Sequence, residues 1–198
     1  MFKRFVFGRP WPSFVPQDVR PLRVVKCSPI GAGAHAAEFS VGWFADRDAL
    51  IRYDEWSTRD GGDGRYIDAE EQVMRGADWL DQRWSSGGRK WKHVALARRV
   101  AGIAQADFSR RWRAHAGTAT QASGATLTIP DEARGQAYVQ NHPLPRTAGE
   151  WDWDAITEVW FDDPAAMQVR CDWFAANPPG GGLFRESVFL TVAEDLTG

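Results

Sequence analysis

Residues 43–56, WFADRDALIRYDEW, and residues 160–173, WFDDPAAMQVRCDW, align without a gap at a constant offset of 117. Trp43 falls on Trp160, Phe44 on Phe161, Asp46 on Asp163, Ala49 on Ala166 and Trp56 on Trp173. Five identities in 14 positions, two of them tryptophan pairs, point to a duplicated supersecondary unit, so the chain is expected to fold as two related halves. Both copies share one grammar. A short apolar strand, 37–44 or 155–161, leads to an aspartate that can accept free amide N–H groups at a helix start, Asp46 or Asp163. Pro164 then stands at the first helical position, where its missing N–H costs nothing. The helices set Ala49, Tyr53 and Trp56, or Met167, Cys171 and Phe174, on one face.

The second copy reads as complete. Strands are expected at 91–99, 135–144, 155–161 and 187–194, with helices over 104–121 and after Pro164. The order β-α-β-β-α-β is the ferredoxin-like plan. Its helices cover one sheet face, so a second sheet must cover the other. The first copy is shortened: between strands at 4–8 and 21–27, three prolines in WPSFVPQDVRP leave no room for a first helix. A last strand is expected at 69–80 and a linker at 82–90. The expected fold is therefore α+β, with two ferredoxin-like (βαββαβ) halves packed sheet to sheet as a pseudo-dimer. Residues 1–84 form the diverged half and 85–198 the complete one.

Composition limits the function. The 198 residues carry 24 Lys and Arg against 26 Asp and Glu, a net charge of −2, which argues against binding nucleic acid through phosphate charge. No run approaches the length of a membrane span, and the N-terminus lacks the apolar core of a signal peptide, so a cytoplasmic location is expected. Cys27 and Cys171 read as buried thiols, with one long-range disulfide as the alternative. The four histidines have no paired cysteines and no HxxxH or HxH spacing, so no metal site is expected. The glycine-bearing runs at 31–37 and 179–184 lack the context of a phosphate cradle, and neither flavin nor nicotinamide fingerprints occur; no cofactor is expected. The abnormal number is 11 tryptophans beside 3 tyrosines, which implies an aromatic core, an aromatic-lined pocket, or both.

The second half resembles the EthD family of the dimeric α+β barrel superfamily. The residues that carry the resemblance are Arg98-Arg99, DFSRRWRAHAG at 107–117, YVQNHPL at 138–144 and ITEVWFDD at 156–163. Two departures stand out. The family's proline after the helix histidine and its small residue is absent from His115-Ala116-Gly117, and Ser28 in VVKCSP stands where His142 stands in VQNHP. The first half is therefore expected to lack a working site. The resemblance implies a cofactor-independent lyase or isomerase for a bulky aromatic or polyketide-like small molecule, acting by dehydration, decarboxylation or cyclisation. The alternatives are a non-catalytic small-molecule binding protein and a structural or stress-related oligomer; a homodimer of the pseudo-dimer stays open.

His115 and His142 are the sharpest catalytic candidates, because both match the resemblance. His115 continues the helix stripe of Phe108 and Trp112, while His142 shares a strand face with Tyr138 and Gln140. If that face meets the stripe, two imidazoles converge under Trp112, and histidine is the side chain suited to proton transfer near neutrality. Tyr138 could donate a hydrogen bond to a developing enolate. Phe108, Trp112, Trp151, Trp153 and Trp160 are candidate substrate contacts, with Asp152 between two indoles as a candidate acid. Glu158, mid-strand, must be paired if buried: either it orients a histidine or it meets an arginine such as Arg98 or Arg99. Trp43, Trp56, Trp160 and Trp173 occupy equivalent positions of the repeat and read as framework.

Overall fold

A computed structural model of the chain describes residues 1–30, 38–59, 65–86, 88–146 and 149–197. Strands β1 (Phe2–Phe7), β2 (Arg23–Pro29) and β3 (Phe39–Phe44) precede helix α1 (Arg47–Arg59), strand β4 (Arg65–Arg75) and helix α2 (Ala77–Ser86). Strand β5 (Lys90–Arg99), helix α3 (Gln105–Arg113) and a small hairpin of β6 (Thr118–Thr120) and β7 (Thr126–Thr128) follow. Strands β8 (Ala137–Pro143) and β9 (Ala155–Phe161), helix α4 (Pro164–Ala176) and strand β10 (Phe184–Thr197) complete the chain.

Eight strands close into an antiparallel barrel in the order β1-β3-β2-β10-β5-β9-β8-β4. The sheets expected to lie face to face are joined at both edges, β2 to β10 and β4 to β8, so each barrel strand has a partner on both sides. Within each run of four large strands, β4-β1-β3-β2 and β10-β5-β9-β8, the order is fourth, first, third, second. Helices α1 and α4 have 13 residues each. Their starts are capped alike: the Asp46 carboxylate accepts from Ala49 N–H at 2.7 Å, and that of Asp163 from Ala166 N–H at 2.8 Å.

Three expected elements end elsewhere. The strand expected to run to residue 80 stops at Arg75, because Gly76 adopts φ +78° and a Cβ there would meet the Gln136 carbonyl oxygen. The following residues form α2, which buries Leu80 and Arg83, and the boundary expected after residue 84 falls inside this helix. Helix α3 ends at Arg113 rather than 121. Its last turn tightens as Ala114 and His115 N–H groups bond to Arg111 and Trp112 carbonyls, and Gly117 turns the chain at φ +82° into a threonine-rich hairpin. Residues 8–22, all described, form no α-helix. The glycine runs at 31–37 and 61–64 lie outside the described residues.

The barrel interior is apolar in its middle, around Phe5, Val25, Val41, Ile67, Val94 and Ile156, and charged toward one end. There Lys3 Nζ lies 2.9 Å from Glu71 and 2.5 Å from Glu158, while Lys92 Nζ lies 2.7 Å from both Glu158 and Glu194. Arg83 reaches Glu194 at 3.0 Å, so three cations face three carboxylates. The indoles of Trp43 and Trp160 donate to Glu71 and Glu194 at 3.4 and 3.1 Å. Such a cluster is tolerable inside a protein only because each charge is paired with an opposite one. Both cysteines are free, and only Cys27 is buried. Burial, partly offset by Lys92, pushes its thiol up to about 12. Among the described residues, no helix is long and apolar enough to cross a membrane.

Candidate functional site

Strand parity divides the C-terminal strands into two faces. Val94, Asn141, Glu158 and Trp160 point into the barrel; Ala95, Tyr138, Thr157 and Val159 point the other way, toward α3 and α4. Between this outer face, the two helices and the β6–β7 hairpin lies a cavity of about 500 Å³. That volume is in the range of small-molecule sites. The hairpin and the α4–β10 loop close one side together, because Gly180 N–H donates to the Thr120 carbonyl at 2.9 Å and Gln121 bridges to Pro179. The PPGGGLF segment is thus tied down.

Aromatic rings from three elements form the wall: Trp112 from α3, Phe174 from α4, and Phe184 and Phe189 from β10. Among the described residues Trp112 is the one tryptophan there. Phe108, fully buried, backs that indole with ring centroids 5.9 Å apart. His115 lies in the turn after α3, half-buried, and lines the cavity. Tyr138 lines it too. Its hydroxyl accepts from Gln140 Nε2 at 2.9 Å, and burial, partly offset by Gln140, Arg170 and Thr157, raises its pKa, so that it stays a phenol able to donate. Gln140 Nε2 also donates to the Trp112 carbonyl at 3.1 Å, fixing the end of α3 on the sheet.

His142 shares the face of Tyr138 and Gln140 as the sequence predicts, but it is not in the cavity wall. Its ring lies 4.6 Å from that of Trp112, so the indole separates it from the open space. Burial, aided by the Arg113 charge, lowers its pKa to about 4. The two imidazoles expected to converge are therefore divided by Trp112.

Glu158 and Trp160 occupy the interior face of β9, the face opposite the cavity. The partners of Glu158 are Lys3, Lys92 and Asn141, not a histidine or arginine. Burial alone would raise its pKa, but these two ammonium groups outweigh it and hold the carboxyl at about 2. Arg98 instead covers Trp153 at 5.1 Å, and Arg99 pairs with Asp154. Trp151 and Trp153 pack against the barrel core, with Trp151 Nε1 donating to the Leu144 carbonyl at 2.6 Å. Asp152 pairs with exposed Arg65 at 2.7 Å. None of these three loop residues lines the cavity.

Sequence reasoning passed over two further residues, Arg170 in the cavity wall and His93 hydrogen-bonded to it. Arg170 follows Met167 by three positions and precedes Phe174 by four, so it lies on the sheet-facing stripe of α4; a charged residue on that stripe was the available signal. His93 has the parity of Ala95 and Ala97, on the same face of β5, and its Nδ1 accepts from Arg170 Nε at 3.2 Å. Among the described residues no three His, Cys, Asp or Glu side chains are grouped to hold a metal ion. Residues 92–172 match the family model of the EthD domain. No curated protein matches the chain.

Proposed function

With residues 92–172 a member of the EthD domain family, we propose that the chain binds a bulky aromatic small molecule in the cavity above the C-terminal sheet and transforms it without a cofactor, as a lyase or isomerase. The observation that carries this reading is a cavity of about 500 Å³ whose aromatic wall also presents an imidazole and a phenol, His115 and Tyr138. His115 removes a proton from the carbon beside a substrate carbonyl. The Tyr138 hydroxyl donates a hydrogen bond to the carbonyl oxygen as it becomes an enolate. The imidazolium then returns the proton, to another carbon in an isomerisation or to a departing hydroxyl that leaves as water. His142 acts behind the wall, holding the Trp112 indole in place.

In the same reading the chain is a diverged duplication with one site. The shared strand order, the equal helices, the matched aspartate caps and the Lys3–Trp43–Glu71 and Lys92–Trp160–Glu194 clusters support two related halves. In the first half the space over Gly42 is filled. Trp11 stacks on Tyr53 at 5.3 Å and lies over Gly42, and Val15 and Val19 pack with Leu50 and Phe44. The segment that has no first helix thus supplies the filling.

The test is deuterium exchange into the methyl group of 2-acetonaphthone in D2O, followed by NMR. The reading predicts exchange about a hundredfold or more above buffer, lost in His115→Ala and weakened in Tyr138→Phe. Binding without exchange would assign the cavity to a non-catalytic binding protein. Absence of binding, with sedimentation showing a defined oligomer, would favour a structural role.

A further inference from the structure

Resting on the cavity being a ligand site, we propose that its occupant carries a carboxylate and that Arg170 binds it. Arg170 is 6% exposed and lines the cavity. Of the five N–H donors of a guanidinium, one goes to His93 Nδ1 at 3.2 Å and one to the Ala133 carbonyl at 2.8 Å. Phe174 covers the guanidinium at 4.6 Å. Among the described residues no carboxylate pairs with Arg170, and Nη2 makes no hydrogen bond. Burial lowers its pKa to about 10, with a small further push from Arg75, so it remains a cation at neutral pH. A buried cation without a counter-ion is costly unless something supplies one.

The first half contains an internal comparison. Arg4 of β1 is buried to a similar degree, 3% exposed, and is held by two carboxylates, Asp54 at 2.5 Å and Asp68 at 2.7 Å. For Arg4 the fold supplies the anions; for Arg170 it supplies none among the described residues. The rest of the wall has the same sign. Arg75, Arg134 and Arg185 accompany Arg170 against Glu186 as the one acid, and Glu186 itself faces Arg98 at 3.4 Å. His93 adds no charge. Burial and then the Arg170 charge lower its pKa to about 3, so it serves as a neutral acceptor, wedged between Phe174 and Phe189, that fixes the plane of the guanidinium.

The ligand class is therefore a planar aromatic carboxylate, its rings against Trp112, Phe184 and Phe189 and its head group on the Arg170 fork. This narrows the reaction. A guanidinium that stabilises the carboxylate in the ground state opposes loss of carbon dioxide, so dehydration or cyclisation is favoured over decarboxylation at this site.

Calorimetric titration with 2-naphthoate and with 2-naphthamide, which keeps the rings but is neutral, separates the two layers. The wild-type protein is expected to prefer naphthoate by about tenfold or more. Arg170→Gln abolishes the preference, Arg170→Lys retains part of it, and Arg111→Gln, which removes an exposed charge outside the cavity, retains all of it. Equal binding of both probes by the wild type, or an undiminished preference in Arg170→Gln, overturns the role of Arg170 and leaves the cavity standing as an aromatic site. Binding of neither probe overturns both. Should Arg170→Gln fail to fold, the wild-type comparison and Arg170→Lys decide the matter.

Discussion

The Nε–H of Arg170 donates to Nδ1 of His93 across 3.2 Å, a bond that requires the imidazole to be neutral and to carry its proton on Nε2. This has a consequence for stability. The folded pKa of about 3 lies below the ordinary value of 6.5. The contribution of neutral His93 is therefore fully present above pH 6.5 and is lost as pH falls toward the folded value. By pH 5 the loss from this one residue is about 2 kcal/mol, measurable as a falling urea midpoint. The ¹⁵N resonances of His93 should show no protonation at that pH. A normal titration of His93 would contradict the structure.

Glu158 binds two ammonium groups inside the barrel, and Glu158→Gln leaves both under-compensated. The expected cost is about 3–5 kcal/mol by urea unfolding. The sign of the acid response also follows. This carboxylate is held below its ordinary value, so its stabilising contribution is present above pH 4.5 and disappears as pH falls toward about 2. In Glu158→Gln that part of the acid sensitivity should be absent.

Gly42 and Trp11 form a coupled pair in the first half. A Cβ at residue 42 would stand 2.3 Å from the Trp11 ring. Gly42→Ala should cost about 1–3 kcal/mol in the wild type and much less in a Trp11→Ala background. Additive costs in the double variant would show that Trp11 does not occupy that space.

His115 and His142 should separate kinetically. On 2-acetonaphthone, His115→Ala lowers the exchange kcat by about 10²–10⁴ with little change in KM. His142→Ala raises KM through a loosened Trp112 and leaves kcat near wild type. Equal loss of kcat in both variants would place His142 at the reacting atoms.

How much of this was legible beforehand depended on whether the signal was local. Strand β9 runs over the residues its apolar alternation indicates, and the Asp46 and Asp163 caps follow from an aspartate standing just before an amphipathic stretch. Parity also put Tyr138, Gln140 and His142 on one face. The misplaced elements turned on single glycines: Gly76 starts α2 by a positive φ that alternation does not reveal, and Gly117 ends the turn that carries His115 off the helix. The charged barrel interior was not legible. Lys3, Glu71, Lys92, Glu158 and Glu194 come from five strands spread over nearly the whole chain, and only barrel closure brings them together. Arg170 was hidden for a related reason: an arginine on an apolar helix face reads as an exception until the cavity beside it is seen.

The most direct measurement uses the tryptophans themselves. Of 11 indoles, Trp112 alone stands in the cavity wall among the described residues. In an NMR titration of ¹⁵N-labelled protein with 2-naphthamide, assigned by Trp→Phe replacement, the account predicts a saturable shift of the Trp112 Nε1–H signal. The signals of Trp11, Trp43, Trp151, Trp153 and Trp160 should stay in place. A shift centred on Trp151 and Trp153, or on Trp11 in the first half, with Trp112 unmoved, would contradict it.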